Sequence, residues 1–169
     1  MINHTVYCNQ CVIQPNTHSF ELLCKAYNKE TDECVSVYYT KVANAINYND
    51  TEGILRHYEN LLTYSFPDSW IWIFDCNGFG FKHSIEIKTA IGIAKLLNKY
   101  GRLIKILVIN SNSFINIIKK GVDFVLDNEI CKNTIMIHSD EKTKYLLELT
   151  KYYYDTSDDF NKLSSFMKS

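Results

Sequence analysis

From Trp70 to Phe74 the chain reads Trp-Ile-Trp-Ile-Phe, five large apolar residues in succession, and it stops at Asp75-Cys76-Asn77-Gly78. A strand with no polar position offers no face to water. The run therefore predicts a central parallel strand, buried on both sides. In an open α/β sheet the carboxyl ends of such strands are where ligands bind, so the Asp75 turn marks the edge to inspect.

The segments on either side fit a sheet of that kind. Ser19–Tyr27 and Glu33–Thr40 predict the two strands of an antiparallel hairpin, joined by the polar Asn28-Lys29-Glu30-Thr31-Asp32. Asn49-Asp50-Thr51-Glu52 offers caps for a helix whose Ile54, Leu55, Tyr58, Leu61 and Leu62 share one face, and Pro67 ends it. A second helix is predicted over Ser84–Tyr100, stopped by Gly101, and a second buried strand over Leu103–Ile109. Asn112 or Ser113 can cap a helix running to about Leu126, with Phe114, Ile117, Ile118, Gly121, Val122 and Val125 on one face. Thr134–His138 is a third short strand, and helices are expected over Asp140–Lys151 and Asp158–Phe166. The alternation of strand and helix implies one α/β domain with a mostly parallel sheet, right-handed crossovers and helices on its faces.

Bulk properties narrow the function. The 169 residues suit one domain with a sizeable core, and a net charge of −1 argues against a general nucleic-acid binder, which needs a basic surface. No apolar run is long enough to span a bilayer, and Met1-Ile2-Asn3-His4-Thr5 lacks the features of a secretory signal. The expectation is a cytoplasmic protein whose six cysteines are reduced thiols.

Over Trp70–Ile137 the chain resembles the CRAL-TRIO lipid-binding domain family. Three marks stand in the family's order. An apolar strand ends in Phe74-Asp75-Cys76-Asn77-Gly78-Phe79-Gly80. A helix ends in Tyr100-Gly101-Arg102-Leu103 and leads to Leu107-Val108-Ile109-Asn110-Ser111. An amphipathic helix carries Phe124-Val125-Leu126-Asp127 before Lys132 and Thr134-Ile135-Met136-Ile137. Where the family often has Pro-Glu before the Arg, this chain has Gly101, and no room is expected for the helical region that commonly precedes the domain.

The resemblance implies a non-enzymatic binder of one hydrophobic ligand, a phospholipid or similar lipid, with transient contact to a membrane surface and no cofactor. The helix after the Ile-Asn strand would be a gate over an apolar cavity. Phe114, Ile117, Ile118, Val122 and Val125 would face an acyl chain, each gaining about 1.5–3 kcal/mol on full burial. Gly121 would mark where the gate bends. Lys119, Lys120 and Lys132 would meet anionic headgroups, and Asp75 and Arg102 would serve the headgroup or their own turns. Short members of the family include protein-interaction scaffolds. In that alternative the bulk of Trp72, Phe74, Phe114 and Phe124 fills the pocket and the surface binds a protein partner.

Two other constellations in the chain suggest different chemistry. His4, Cys8, Cys11 and His18 have spacings that a zinc ion accepts, with Cys8-Asn9-Gln10-Cys11 as a knuckle. A structural site usually shows a tighter second pair, so the sequence assigns no metal. Asp75-Cys76-Asn77-Gly78 also looks like the strand-terminal Asp-x-Asp-Gly of haloacid-dehalogenase-type phosphoryl transfer, with Asp75 as nucleophile. Asn77 stands where that chemistry needs a carboxyl to exchange a proton. Phosphate-binding loops and nucleophile elbows are absent from the sequence, and no enzyme is expected.

Overall fold

A computed structural model describes residues 8–14, 17–65, 68–138, 152–154 and 161. Its elements are α1 (Asn9–Ile13), β1 (Glu21–Asn28), β2 (Cys34–Lys41), a 3-10 turn (Val42–Asn44), α2 (Thr51–Ser65), β3 (Ser69–Asp75), α3 (Phe81–Ser84), α4 (Ile87–Tyr100), β4 (Leu103–Ile109), α5 (Ser113–Val122), α6 (Asn128–Lys132), β5 (Thr134–Met136) and β6 (Tyr152–Tyr154). The strands form one sheet in the order β5-β4-β3-β2-β1-β6. Pairing is parallel from β2 through β5, while β1 runs antiparallel to both β2 and β6. The fold is thus the expected α/β type, with a mostly parallel sheet and an N-terminal antiparallel hairpin.

The double burial of β3 has a specific cause. Alternating residues point to opposite faces. Trp70, Trp72 and Phe74 join the cluster that holds the helices, whereas Ile71 and Ile73 join a cluster made of strand residues. The helix side is accordingly aromatic and the other side aliphatic. Around Phe20 the rings interlock: it stacks on Tyr58 at 4.0 Å and on Tyr38 at 4.8 Å, and meets Trp72 edge-on at 5.9 Å.

Residues from α2, α4, α5 and α6 all gather in the first cluster, so among the described residues these helices cover one face. Strand order explains this. From β2 to β5 each strand lies beside its predecessor and the sheet grows in one direction. Crossovers of constant hand then return on the same side every time.

Local signals act where the sequence places them. The Asp50 carboxylate accepts from Gly53 N–H at 3.2 Å at the start of α2. Asn112 caps α5 by accepting from Phe114 N–H at 3.0 Å and Ile115 N–H at 3.2 Å. Gly101, with φ +58°, closes α4 through a bond from its N–H to Leu97 O.

Two expectations need correction, and one strand stands where no element was expected. The helix predicted over Ser84–Tyr100 begins only at Ile87, because Ser84 ends the separate short α3, where its hydroxyl bonds back to Phe81 O at 2.7 Å, and a turn at Ile85-Glu86 follows. The helix expected to reach Leu126 ends at Val122; Val125 and Leu126 N–H groups both bond to Val122 O in a turn. Tyr152–Tyr154, just past an expected helix, form an edge strand, as a run of tyrosines favours. The helix expected over 140–151 lies outside the described residues, as does that over 158–166 apart from Asn161, which is helical.

Candidate functional site

Two structures meet at the carboxyl ends of β3 and β4: a polar knot at Asp75 and an apolar cavity on the helix face. Asp75 is buried, and its carboxylate accepts three hydrogen bonds. They come from the Tyr39 hydroxyl at 2.8 Å, Asn77 N–H at 2.9 Å and Asn110 Nδ2 at 2.9 Å. Burial and the Asp75 charge push the Tyr39 phenol up, so it stays a donor. Burial, then the Asp75 charge, likewise pushes up the Cys76 thiol. Asn110 holds φ +52° to reach Asp75, and Asn112 Nδ2 donates to Phe79 O at 3.0 Å. The Asp75–Gly80 turn, the end of β4 and the start of α5 are therefore one hydrogen-bonded unit. With its acceptor positions so occupied, the carboxylate is a turn anchor rather than an exposed nucleophile.

A partly open cavity of about 160 Å³ lies between the sheet and the helices α2, α4 and α5. Trp72, Phe74, Ile106, Val108 and Met136 form its floor, Tyr58 and Ile54 one wall, Ala90, Ile93, Ala94 and Leu97 another, and Ile115, Ile118 and Val122 the side made by α5. Polar atoms in the floor satisfy each other. Trp72 Nε1 donates to Thr40 Oγ1 at 2.9 Å, and Tyr58 shares a 3.4 Å contact with the same oxygen. His83 also lines the cavity, accepting from Gly80 N–H through Nδ1 at 3.0 Å. Burial, and secondarily the Lys82 ammonium, holds its pKa below the usual imidazole range, so the ring is neutral. Glu86, Lys119 and Asp123 stand on the rim, where Lys119 pairs with Asp123 at 2.7 Å.

The residues expected to face a ligand divide. Ile118 and Val122 line the cavity. Phe114 is half-buried against the core, Ile117 is 52% exposed, and Val125 lies in the turn past α5, with its carbonyl accepting from Asn98 Nδ2 at 2.8 Å. Phe124, at 91% exposed, does not fill the interior. Ile115 is the buried lining residue that the sequence reading passed over. Its spacing with Ile118, Val122 and Leu126 is helical too, but the competing Phe114-Ile117 stripe is as apolar, and periodicity alone does not choose between them.

Lys132 is exposed on α6, near Glu129 at 3.8 Å. Arg102 is also exposed, its backbone at φ +54° and its carbonyl accepting from Trp70 N–H at 3.0 Å. Lys132 and Arg102 are not among the cavity-lining residues. The Cys/His group is brought together, with one change of membership: Cys8, Cys11 and His18 converge with His57 of α2, while His4 lies outside the described residues. Nothing local to His57 signals this, because the partner cysteine stands 46 residues away.

No family model matches the chain, and neither does any curated protein sequence. Among solved structures, the crystal structure of Sfh5, a Sec14/CRAL-TRIO-family protein, matches with a TM-score of 0.54 at 13% identity, covering 73% of this chain and 50% of that one. The chain thus spans about half the length of Sfh5. At this identity the likeness shows the fold, which is distantly CRAL-TRIO-like. No helix among the described residues is long and apolar enough to cross a membrane.

Proposed function

We propose that this protein binds a slender hydrophobic ligand, such as a segment of a lipid acyl chain, in the cavity between the sheet and α5, and performs no chemistry on it. The observation that carries the reading is the cavity itself, a space of about 160 Å³ whose wall surface is mostly apolar, with its polar groups set among the aromatic and aliphatic side chains. Apolar cavities of about 150 Å³ stay dry and accept small apolar guests. A native cavity of that kind forfeits packing energy that an apolar occupant restores. The distant CRAL-TRIO-like fold adds support for a lipid as the guest.

Volume also limits the ligand. A space of this size takes only a short apolar segment, so a full acyl chain, and still more a whole phospholipid, requires α5 to move away from the sheet as a gate. α5 packs on α3 and α4. Around this end of the helical layer Phe81, Ile85, Ile117 and Phe124 are exposed, and Lys120 and Lys132 are exposed on α5 and α6. We assign these residues to transient contact with a membrane surface during loading, where each lysine contributes about 1 kcal/mol toward anionic lipid.

Native mass spectrometry of freshly purified protein, with organic extraction of any adduct, tests the reading. A stoichiometric lipid mass is expected, and Ile118→Asp is expected to abolish loading while circular dichroism stays unchanged. Loading that survives Ile118→Asp rejects this cavity as the site. The cavity's small size favours one second reading, a scaffold of the same fold that binds a protein partner. A bare polypeptide mass that persists after incubation with mixed liposomes would support it.

A further inference from the structure

We propose that Cys8, Cys11, His18 and His57 form a structural zinc site that clamps the N-terminal segment to α2. It is separate from the cavity and does not depend on the lipid-binding reading.

The four ligand atoms all lie within 4.8 Å of one another. Around tetrahedral zinc, bond lengths of about 2.3 Å to sulfur and 2.0–2.1 Å to nitrogen place a sulfur and a nitrogen about 3.5 Å apart. The observed separations are 3.4 Å from Cys8 Sγ to His18 Nδ1, 3.6 Å from Cys11 Sγ to His57 Nδ1 and 4.0 Å from Cys11 Sγ to His18 Nδ1. They bracket that value. Cys11, His18 and His57 are at most 1% exposed, so a metal here has four protein ligands and no open position, as in a structural rather than a catalytic site.

The outer contacts orient both rings. His57 Nε2 lies 2.7 Å from the carbonyl oxygen of Phe20, which can only accept, so Nε2 carries the proton and Nδ1 presents its lone pair to the sulfurs. His18 Nε2 meets the Asp50 carboxylate at 3.0 Å, with the same consequence for its Nδ1. A carboxylate or a backbone carbonyl behind a ligating imidazole is the arrangement that fixes tautomer and ring direction in metal sites. Gly53 leaves room for it, since a Cβ there would strike the Asp50 carboxylate and come within 2.8 Å of His18 Nε2. Charge fits as well: two thiolates and Zn²⁺ sum to zero, which suits a buried place.

Position gives the site its purpose. Cys8 and Cys11 flank and sit on the short α1, His18 precedes β1, and His57 lies on α2 beside the cavity-lining Tyr58. Zinc would fix how α2 sits over the sheet.

The test is metal counting on full-length protein purified under reducing conditions and passed through metal-free buffer. One zinc per chain is expected. Cys8→Ser and His57→Gln are expected to lose it, and Cys131→Ser, a thiol outside the group, to keep it. Asp50→Asn should weaken zinc affinity about 10- to 100-fold. Should the ligand variants fail to fold, cobalt titration of the zinc-stripped wild type decides. Intense visible bands of tetrahedral cobalt with a thiolate charge-transfer band support the site. Folded, reduced wild type that holds no zinc and gives only the weak spectrum of octahedral cobalt overturns it, as does zinc retained at full stoichiometry by folded Cys8→Ser and His57→Gln proteins.

Discussion

The Tyr39 hydroxyl donates to Asp75 Oδ2 at 2.8 Å, tying together two adjacent parallel strands where β3 ends. Asn77 and Asn110 bind the other carboxylate oxygen, so the residue most suggestive of catalysis in the sequence is held on all sides by donors. Its physical work is to fix the turn that carries the chain from the sheet toward α3.

Asp75→Ala should therefore act on stability. Buried donors left without a partner cost about 1–3 kcal/mol, and the Tyr39 hydroxyl is one of them. A lower urea midpoint is expected, with Asp75→Asn, which keeps one acceptor oxygen, losing less. Magnesium-dependent hydrolysis of a phosphomonoester by the wild type, abolished in Asp75→Asn, would contradict this role.

Gly78 is held in place twice over. Its φ is +79°, and a Cβ there would lie 2.7 Å from the Ala43 Cβ. Gly78→Ala should cost about 1–2 kcal/mol from the backbone conformation alone, with the clash in addition. Adding Ala43→Gly should recover only the clash, and equilibrium denaturation of the single and double variants separates the two contributions.

Gly121 behaves differently. It has an ordinary helical conformation, and a Cβ there would make only a 3.6 Å contact with Ile87. Gly121→Ala should stabilise the protein by up to about 1 kcal/mol. If α5 bends at this residue to admit a ligand, the same variant slows exchange of a fluorescent fatty acid. A higher Tm with unaltered exchange would leave Gly121 without a hinge role.

Acid should destabilise the protein through His83. Its folded pKa is depressed, mainly by burial, whereas in the unfolded chain the ring takes a proton near about pH 6.5. Protonation then favours the unfolded chain. The stabilisation is complete above about pH 6.5 and is lost as pH falls from there toward the lower folded pKa. In His83→Gln, which keeps an acceptor for Gly80 N–H, the drop in Tm between neutral and mildly acidic buffer should shrink. An identical drop in both proteins would place the titration elsewhere.

Much of the framework was legible in the chain. Trp70–Phe74 announced a doubly buried strand, and Asp50, Asn112 and Gly101 mark helix ends that the structure reproduces. These signals are local: a cap bonds an N–H two or three residues away, and alternation is felt along one strand. By itself the sequence thus determined the hairpin, the order of the longer helices and the strands between them, and the parallel sheet, but not the short α1, α3, α6 and β6. Tertiary structure decided what depends on distant partners. It turned Ile115 rather than Ile117 toward the cavity, because the phase of a helix between two apolar stripes is set by the surface it packs on. It also brought His57 to Cys11 and His18, a meeting made by the docking of α2 on the sheet: the spacing of Cys8, Cys11 and His18 is local, but no pattern near His57 marks it as their partner.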